Sequence, residues 1–104
     1  MAETLVFQIA PSWDGPVVRL SGEIDMATVG PVRDYLLALD DAIITLDFCD
    51  VTFMDSTGVN LLVQLQGRLR ERCGKLVLYG VQPNQMRVLA AVGLVNFFDC
   101  VVPD

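Results

Sequence analysis

The chain has 104 residues, a net charge of −6 at pH 7 and a hydrophobic fraction of 53%. These values predict one globular domain spanning residues 1–104, with enough apolar side chains to build a core. No apolar run reaches the roughly 18 residues that a membrane span needs, and no basic stripe is present, so we expect a cytoplasmic protein without membrane insertion or direct nucleic-acid binding.

The first half of the chain predicts a hairpin, a helix and a strand. Residues 5–9 and 17–20 are short apolar or alternating runs, and the PSWDG segment between them is rich in turn residues, which indicates an antiparallel hairpin. The segment 31–41 has Pro31 suited to a first helical turn, followed by one apolar face: Val32, Tyr35, Leu36 and Leu39. Residues 43–48 are rich in β-forming side chains and indicate a buried strand.

The second half alternates helix and strand in the same way. After Gly58, a helical stripe is formed by Val59, Leu62, Val63 and Leu69, and Gly74 is expected to end that helix. Residues 76–79 predict a strand, residues 84–92 a third helix that stops at Gly93, and residues 97–102 a last strand. The fold class predicted is therefore α/β, with a mixed, mainly parallel sheet of four to five strands, an antiparallel N-terminal edge strand and flanking helices.

Few residues in this chain are suited to catalysis. It contains no histidine, which removes the usual general base and the usual metal ligand. No glycine-rich phosphate loop is present, and Cys49, Cys73 and Cys100 are too widely spaced for a disulfide framework or a zinc site. We expect reduced, replaceable cysteines, no metal, no cofactor and no enzymatic activity.

Two loops stand out chemically: SGEID after the second strand and MDSTG after the third. The carboxyl ends of parallel strands lie at the same edge of a sheet, and function collects there in open α/β folds. The two loops therefore predict one surface, rich in acidic side chains: Glu23, Asp25, Asp50 and Asp55.

Ser56 has two interpretations. Either Ser56 or Asp55 could cap the following helix through a side-chain oxygen, which contributes about 1 kcal/mol. Alternatively, Ser56 exposes its hydroxyl to a partner, and Gly58 leaves the backbone open to close approach. Phosphorylation at a helix start is compatible with the fold, because the helix dipole and free N–H groups favour negative charge there, yet it would change the charge of the surface.

Three segments resemble the STAS domain, in particular the small anti-sigma-factor antagonists: GEID at 22–25, LDFCDVTFMDSTG at 46–58 and PNQMRVLAAVGL at 83–94. The resemblance implies that Ser56 is phosphorylated by a partner anti-sigma factor that is itself a serine kinase. The unphosphorylated form would bind the anti-sigma factor and free its sigma factor, and a phosphatase would reset the cycle.

The resemblance also implies a partner-facing surface. Asp25, Asp55, Thr57 and Gly58 match positions on that surface, and Glu23 joins them through the shared loops. Asn60 stands where the family commonly has glycine, which would alter the choice of partner. An alternative is a STAS-type regulatory subunit of a membrane transport ATPase, which would use the same surface without phosphorylation; the neighbouring genes would distinguish the two.

Overall fold

The computed structural model describes residues 4–103, and its centre is a five-stranded sheet with the spatial order β1-β2-β3-β4-β5. Only β1 runs antiparallel to its neighbour; the other strands are parallel. The mixed sheet with an antiparallel N-terminal edge strand is therefore confirmed. The strands are β1 Leu5–Ala10, β2 Val17–Ile24, β3 Ile43–Met54, β4 Lys75–Tyr79 and β5 Asp99–Val101.

Three α-helices connect the parallel strands: α1 Val29–Leu37, α2 Ser56–Glu71 and α3 Pro83–Ala91. Each connection leads to the next strand in the same direction, so right-handed crossovers place all three helices on one face of the sheet. The core lies between that face and the helices; the strand side chains buried there include Val18, Leu20, Ile44, Leu46, Leu76 and Leu78. Within residues 4–103, no helix is long and apolar enough to cross a membrane.

Strand β3 is twice as long as the 43–48 segment predicted from its β-forming residues. The extra half, up to Met54, pairs with the end of β2, which also runs beyond the predicted Leu20. Asp50 interrupts the apolar pattern, so the sequence did not predict this extension. In the structure its carboxylate lies 3.4 Å from the Arg19 guanidinium on β2. The pairing also includes two register shifts, each of which adds one residue to β3, so that the buried residues Phe48, Val51 and Met54 are three positions apart rather than two. The longer strand brings the chain directly to Asp55.

The C-terminal segment forms less strand than the 97–102 run predicted. A short 3₁₀ helix, Val95–Phe97, comes first, and β5 has only three residues. Contacts from α2 explain the difference: the Gln66 amide donates to the Phe97 carbonyl at 2.8 Å, and Arg70 stacks over the Phe97 ring at 4.8 Å. A carbonyl that already accepts from α2 favours the helical turn over an extended strand at this point.

The apolar faces predicted for the first two helices need two corrections. Helix α1 ends at Leu37, so Leu39 follows the helix rather than belonging to it. Val63 was predicted to be buried, but 38% of it is exposed. Val59, Leu62 and Leu69 are buried as predicted, and Leu61 and Leu65, which the predicted stripe did not include, are buried beside them.

Cys73, rather than Gly74, adopts the left-handed conformation that ends α2, with φ of +58°. The Gly74 N–H donates to the Leu69 carbonyl at 2.6 Å and the Cys73 N–H to the Arg70 carbonyl at 3.1 Å. These two bonds are the Schellman arrangement, in which the left-handed position is usually occupied by glycine. Helix α2 therefore stops one residue earlier than predicted, at a residue that has a Cβ.

We expect Cys73→Gly to raise the free energy of unfolding by about 0.5–1 kcal/mol, since relief of left-handed strain outweighs the entropy that glycine gains in the unfolded chain. Urea unfolding of both proteins measures the difference. Cys100→Ser, at an exposed cysteine without this backbone strain, is the control and should not produce the same gain. A destabilised Cys73→Gly variant would contradict the prediction.

Candidate functional site

The hydrogen bonds at the junction of β3 and α2 show which residue caps the helix. Asp55 is the N-cap, and its Oδ1 accepts a hydrogen bond from the Thr57 N–H at 2.8 Å. Ser56 is the first residue of α2, it is exposed, and its hydroxyl has no hydrogen-bond partner in residues 4–103. The cap and the exposed hydroxyl thus belong to adjacent residues, and Ser56 is not needed to start the helix.

Asp25 organises the neighbouring loop between β2 and α1. Its Oδ1 accepts from the Ala27 N–H at 2.9 Å and from the Thr28 N–H at 3.1 Å. The Thr28 hydroxyl in turn donates to the Glu23 carbonyl at 2.7 Å. The carboxylate of Asp25 is therefore engaged within its own loop, and we infer that it positions this surface rather than serving mainly as a free contact.

The two loops lie together at the carboxyl ends of their strands, as predicted. The Asp55 N–H donates to the Ile24 carbonyl at 3.3 Å, and Glu23 pairs with Phe53 across β2 and β3. Asp50 does not belong to this surface, because it lies within β3 opposite Ser21. The acidic residues at this end are therefore Glu23, Asp25 and Asp55.

Gly58 has a different role from the one its sequence position indicated. It is buried, so it does not leave exposed backbone for a partner. A Cβ at this position would lie 2.4 Å from Cγ and 2.8 Å from Sδ of Met54, and 3.0 Å from Cγ2 of Ile24. The missing side chain therefore allows α2 to pack against the ends of β2 and β3, which fixes the height of Ser56 above the sheet.

We expect Gly58→Ala to lower the free energy of unfolding by about 1–3 kcal/mol, because the added methyl group overpacks this contact with Met54 and Ile24. Gly67→Ala is the matched control: Gly67 lies on the same helix, and a Cβ there would meet nothing within 4 Å. That variant should be neutral or more stable, as alanine favours helix. Thermal unfolding of the two variants is the measurement, and equal stability would refute the packing argument.

Two exposed apolar side chains near Ser56 were not among the predicted site residues. Met26 is 83% exposed directly after Asp25, and Phe53 is 45% exposed two residues before Asp55. Met26 directly follows the SGEID loop and Phe53 lies near the end of β3, just before MDSTG, so their signal was a hydrophobic residue beside each polar loop. Exposed Met and Phe with a polar rim are typical of protein–protein interfaces.

Thr57 and Asn60 both line a surface cleft of about 390 Å³ between α1 and α2. Arg33 of α1 forms part of the opposite wall, and Leu61 and Gln64 complete the lining. Asn60 is exposed and Thr57 is half-buried. Ser56, Thr57 and Asn60 thus connect the acidic loops to this cleft. We name the whole surface the switch face and define it by Glu23, Asp25, Met26, Phe53, Asp55, Ser56, Thr57 and Asn60.

None of the three cysteines lies on the switch face. A hydrogen bond with Asp47, followed by burial, raises the pKa of the Cys49 thiol, and burial raises the pKa of Cys100. These shifts oppose formation of the reactive thiolate at both positions. All three cysteines are free thiols in this structure.

The fold and the switch face define a class of small α/β domain in which a mixed sheet presents an exposed serine at the start of the second helix. Comparison with known proteins gives the family. The family model described as "Mlab, STAS domain" matches residues 8–103, and the chain belongs to the STAS family.

Several members of this family are similar to the chain over most of its length. The anti-sigma-B factor antagonist of Listeria monocytogenes is 30% identical over 85 residues, covering 79% of this chain and 75% of the relative. The anti-sigma F factor antagonist of Paenibacillus polymyxa is 32% identical over 85 residues, covering 75% of this chain and 70% of the relative. Among solved structures, the anti-sigma factor antagonist SpoIIAA in its unphosphorylated form has a TM-score of 0.80 and 25% identity, covering 95% of this chain and 89% of that chain.

Proposed function

We propose that this protein is an anti-sigma-factor antagonist whose switch face binds an anti-sigma factor that is also a serine kinase. Binding of the unphosphorylated form frees the sigma factor, and phosphorylation of Ser56 ends that binding. A phosphatase acting on the phosphorylated form restores it. The observation that carries the proposal is the exposed, unbonded hydroxyl of Ser56 at the start of α2, held between two loops whose own hydrogen bonds do not need it.

The chemistry of the switch face supports phosphorylation as an on/off control. A phosphate on Ser56 would add about −1.5 to −2 charges next to Asp55. The first turn of α2 tolerates this charge, because its N–H groups and dipole favour anions, so the domain stays folded. A partner that buries this face would instead meet like charge and a costly desolvation. Phosphorylation of Ser56 would therefore leave the domain folded but strongly weaken its affinity for the partner.

The relatives support the antagonist assignment. Two curated proteins with at least 30% identity over most of this chain are anti-sigma factor antagonists, as is the SpoIIAA structure. In the alternative, a regulatory subunit of a membrane transport ATPase, the same face would bind without any phosphorylation. Partner identity and modification of Ser56 separate these two functions.

The test begins with affinity capture on the wild-type protein, followed by identification of the bound proteins and incubation with ATP. We expect an anti-sigma factor with a kinase domain to be captured and to phosphorylate one residue, Ser56, as located by mass spectrometry. Ser56→Ala should abolish the label, whereas Thr57→Val, which removes the neighbouring hydroxyl, should keep it. Capture of transport ATPase components without a kinase would instead support the alternative, and label retained in Ser56→Ala would overturn the assignment of the site.

A further inference from the structure

We propose that the cleft between α1 and α2 receives a carboxylate side chain of the anti-sigma factor, and that Arg33 binds this carboxylate. The inference deepens the proposed function and rests on it for the identity of the partner. It assigns Arg33, a residue outside the two acidic loops, to the recognition of the anti-sigma factor.

Arg33 is a half-buried cation without a partner. Its guanidinium makes no hydrogen bond or ion pair within residues 4–103, although the residue is not fully exposed. Most other cations have a defined interaction: Arg19 with Asp47 and Asp50, Arg68 with the Leu37 carbonyl, Arg70 with Phe97, Arg72 with the Leu39 carbonyl and Lys75 with Asp99. Arg87 is also unpartnered in the described part of the chain, but it is exposed on α3. Among the half-buried cations of residues 4–103, Arg72 at least donates to the Leu39 carbonyl, although its Nε is buried without a partner, whereas the Arg33 guanidinium makes no hydrogen bond or ion pair at all.

The cleft beside Arg33 is large enough to receive a side chain of a partner. The cleft has a volume of about 390 Å³ and is open to the surface. Thr57, Asn60 and Gln64 face Arg33 across it and offer one hydroxyl and two amides as further donors. A planar guanidinium with amide donors opposite matches the two oxygens of a carboxylate.

The position of the cleft favours a carboxylate from the partner that occupies the switch face. Thr57 and Asn60 belong to both the cleft and the switch face, so a partner seated over Ser56 reaches Arg33 without a second docking event. The chain as a whole carries −6, so an acidic partner segment would be repelled by much of the surface. Arg33 supplies a local attraction for an acidic side chain and thereby fixes the orientation of the partner.

Calorimetric titration with the anti-sigma factor recovered by affinity capture tests the proposal. We expect Arg33→Gln to weaken binding by about thirtyfold or more, the lower range for loss of one member of a buried charge pair. Arg33→Lys should recover only part of the affinity, because an ammonium cannot make the paired hydrogen bonds of a guanidinium. Arg87→Gln, the matched loss of an unpartnered exposed cation, should bind like wild type. Wild-type affinity in Arg33→Gln, or equal losses in the Arg33 and Arg87 variants, would overturn the proposal.

A second measurement tests the cleft without the anti-sigma factor. NMR titration with an acetylated tetraglutamate peptide should shift the Arg33 side-chain Nε–H signal and the amide signals of Thr57 and Asn60, and these amide shifts should vanish in Arg33→Gln. Tetraglutamine peptide is the uncharged control. No shift at Arg33 overturns the carboxylate site, whatever partner is found. A specific shift together with capture of another partner class would overturn the proposed function while leaving the chemistry of the cleft in place.

Discussion

Ser56→Asp is expected to bind the anti-sigma factor about a hundredfold or more weakly than the wild type. The variant places a fixed negative charge beside Asp55 on a face that the partner must desolvate. The hydroxyl of Ser56 is exposed and makes no hydrogen bond in the described residues, so its replacement changes the surface rather than the fold. Isothermal titration calorimetry of the unmodified protein and the variant gives the ratio of dissociation constants.

Ser56→Ala is the matched control for this experiment. Asp55, not Ser56, provides the cap of α2, so the alanine variant should retain both binding and stability. Both variants should keep the wild-type circular dichroism spectrum. Equal affinities of Ser56→Asp and the wild type would show that charge at this position does not control binding.

Gln85→Ala is expected to lower the free energy of unfolding by about 2–4 kcal/mol, since it leaves one buried and one partly buried backbone group without their partners and creates a cavity. Gln85 is fully buried. Its Nε2 donates to the Val51 carbonyl at 3.0 Å, while its Oε1 accepts from the Gln82 N–H at 2.8 Å. The side chain thus joins the start of α3 to the extended half of β3. Chemical denaturation measures the loss.

Asn84, the residue before Gln85, provides a close comparison. Asn84 also donates from its side-chain amide to a β3 carbonyl, that of Thr52, at 2.9 Å, but it is exposed. Water can replace that bond, so Asn84→Ala should cost no more than about 1 kcal/mol. Similar losses in the two variants would mean that burial of Gln85 is not the source of its effect.

The order and type of the elements could be predicted because they follow local periodicity. Alternating or continuous apolar runs indicated β1, β2, β3 and β4, and spacings of three and four residues indicated the helices. The sheet with its antiparallel edge strand followed from the alternation of strands and helices. Ser56 could also be placed at a helix start, since the apolar run ends at Asp55 and the helical pattern begins just beyond it.

The details of the switch face depended on residues that are distant in the sequence. Whether Asp55 or its neighbour Ser56 caps α2 is left open by local propensity, and the position of Asp50 within β3, opposite Ser21 on β2, separates it from the acidic surface. Packing against Met54 and Ile24 buried Gly58, a role that its place in the motif did not reveal.

What the sequence determined by itself was the succession of elements and the chemical character of two loops, because both are set by side chains within a few positions of one another. Only the tertiary structure decided how far β3 extends, which carboxylates remain at the loop end of the sheet, and that Arg33 faces Thr57 across the α1–α2 cleft. These features depend on strand register and helix packing, which pair residues 24 or more positions apart in that cleft. Local propensity carries no information on such pairs, whose energies are set by burial and by the partners available after folding.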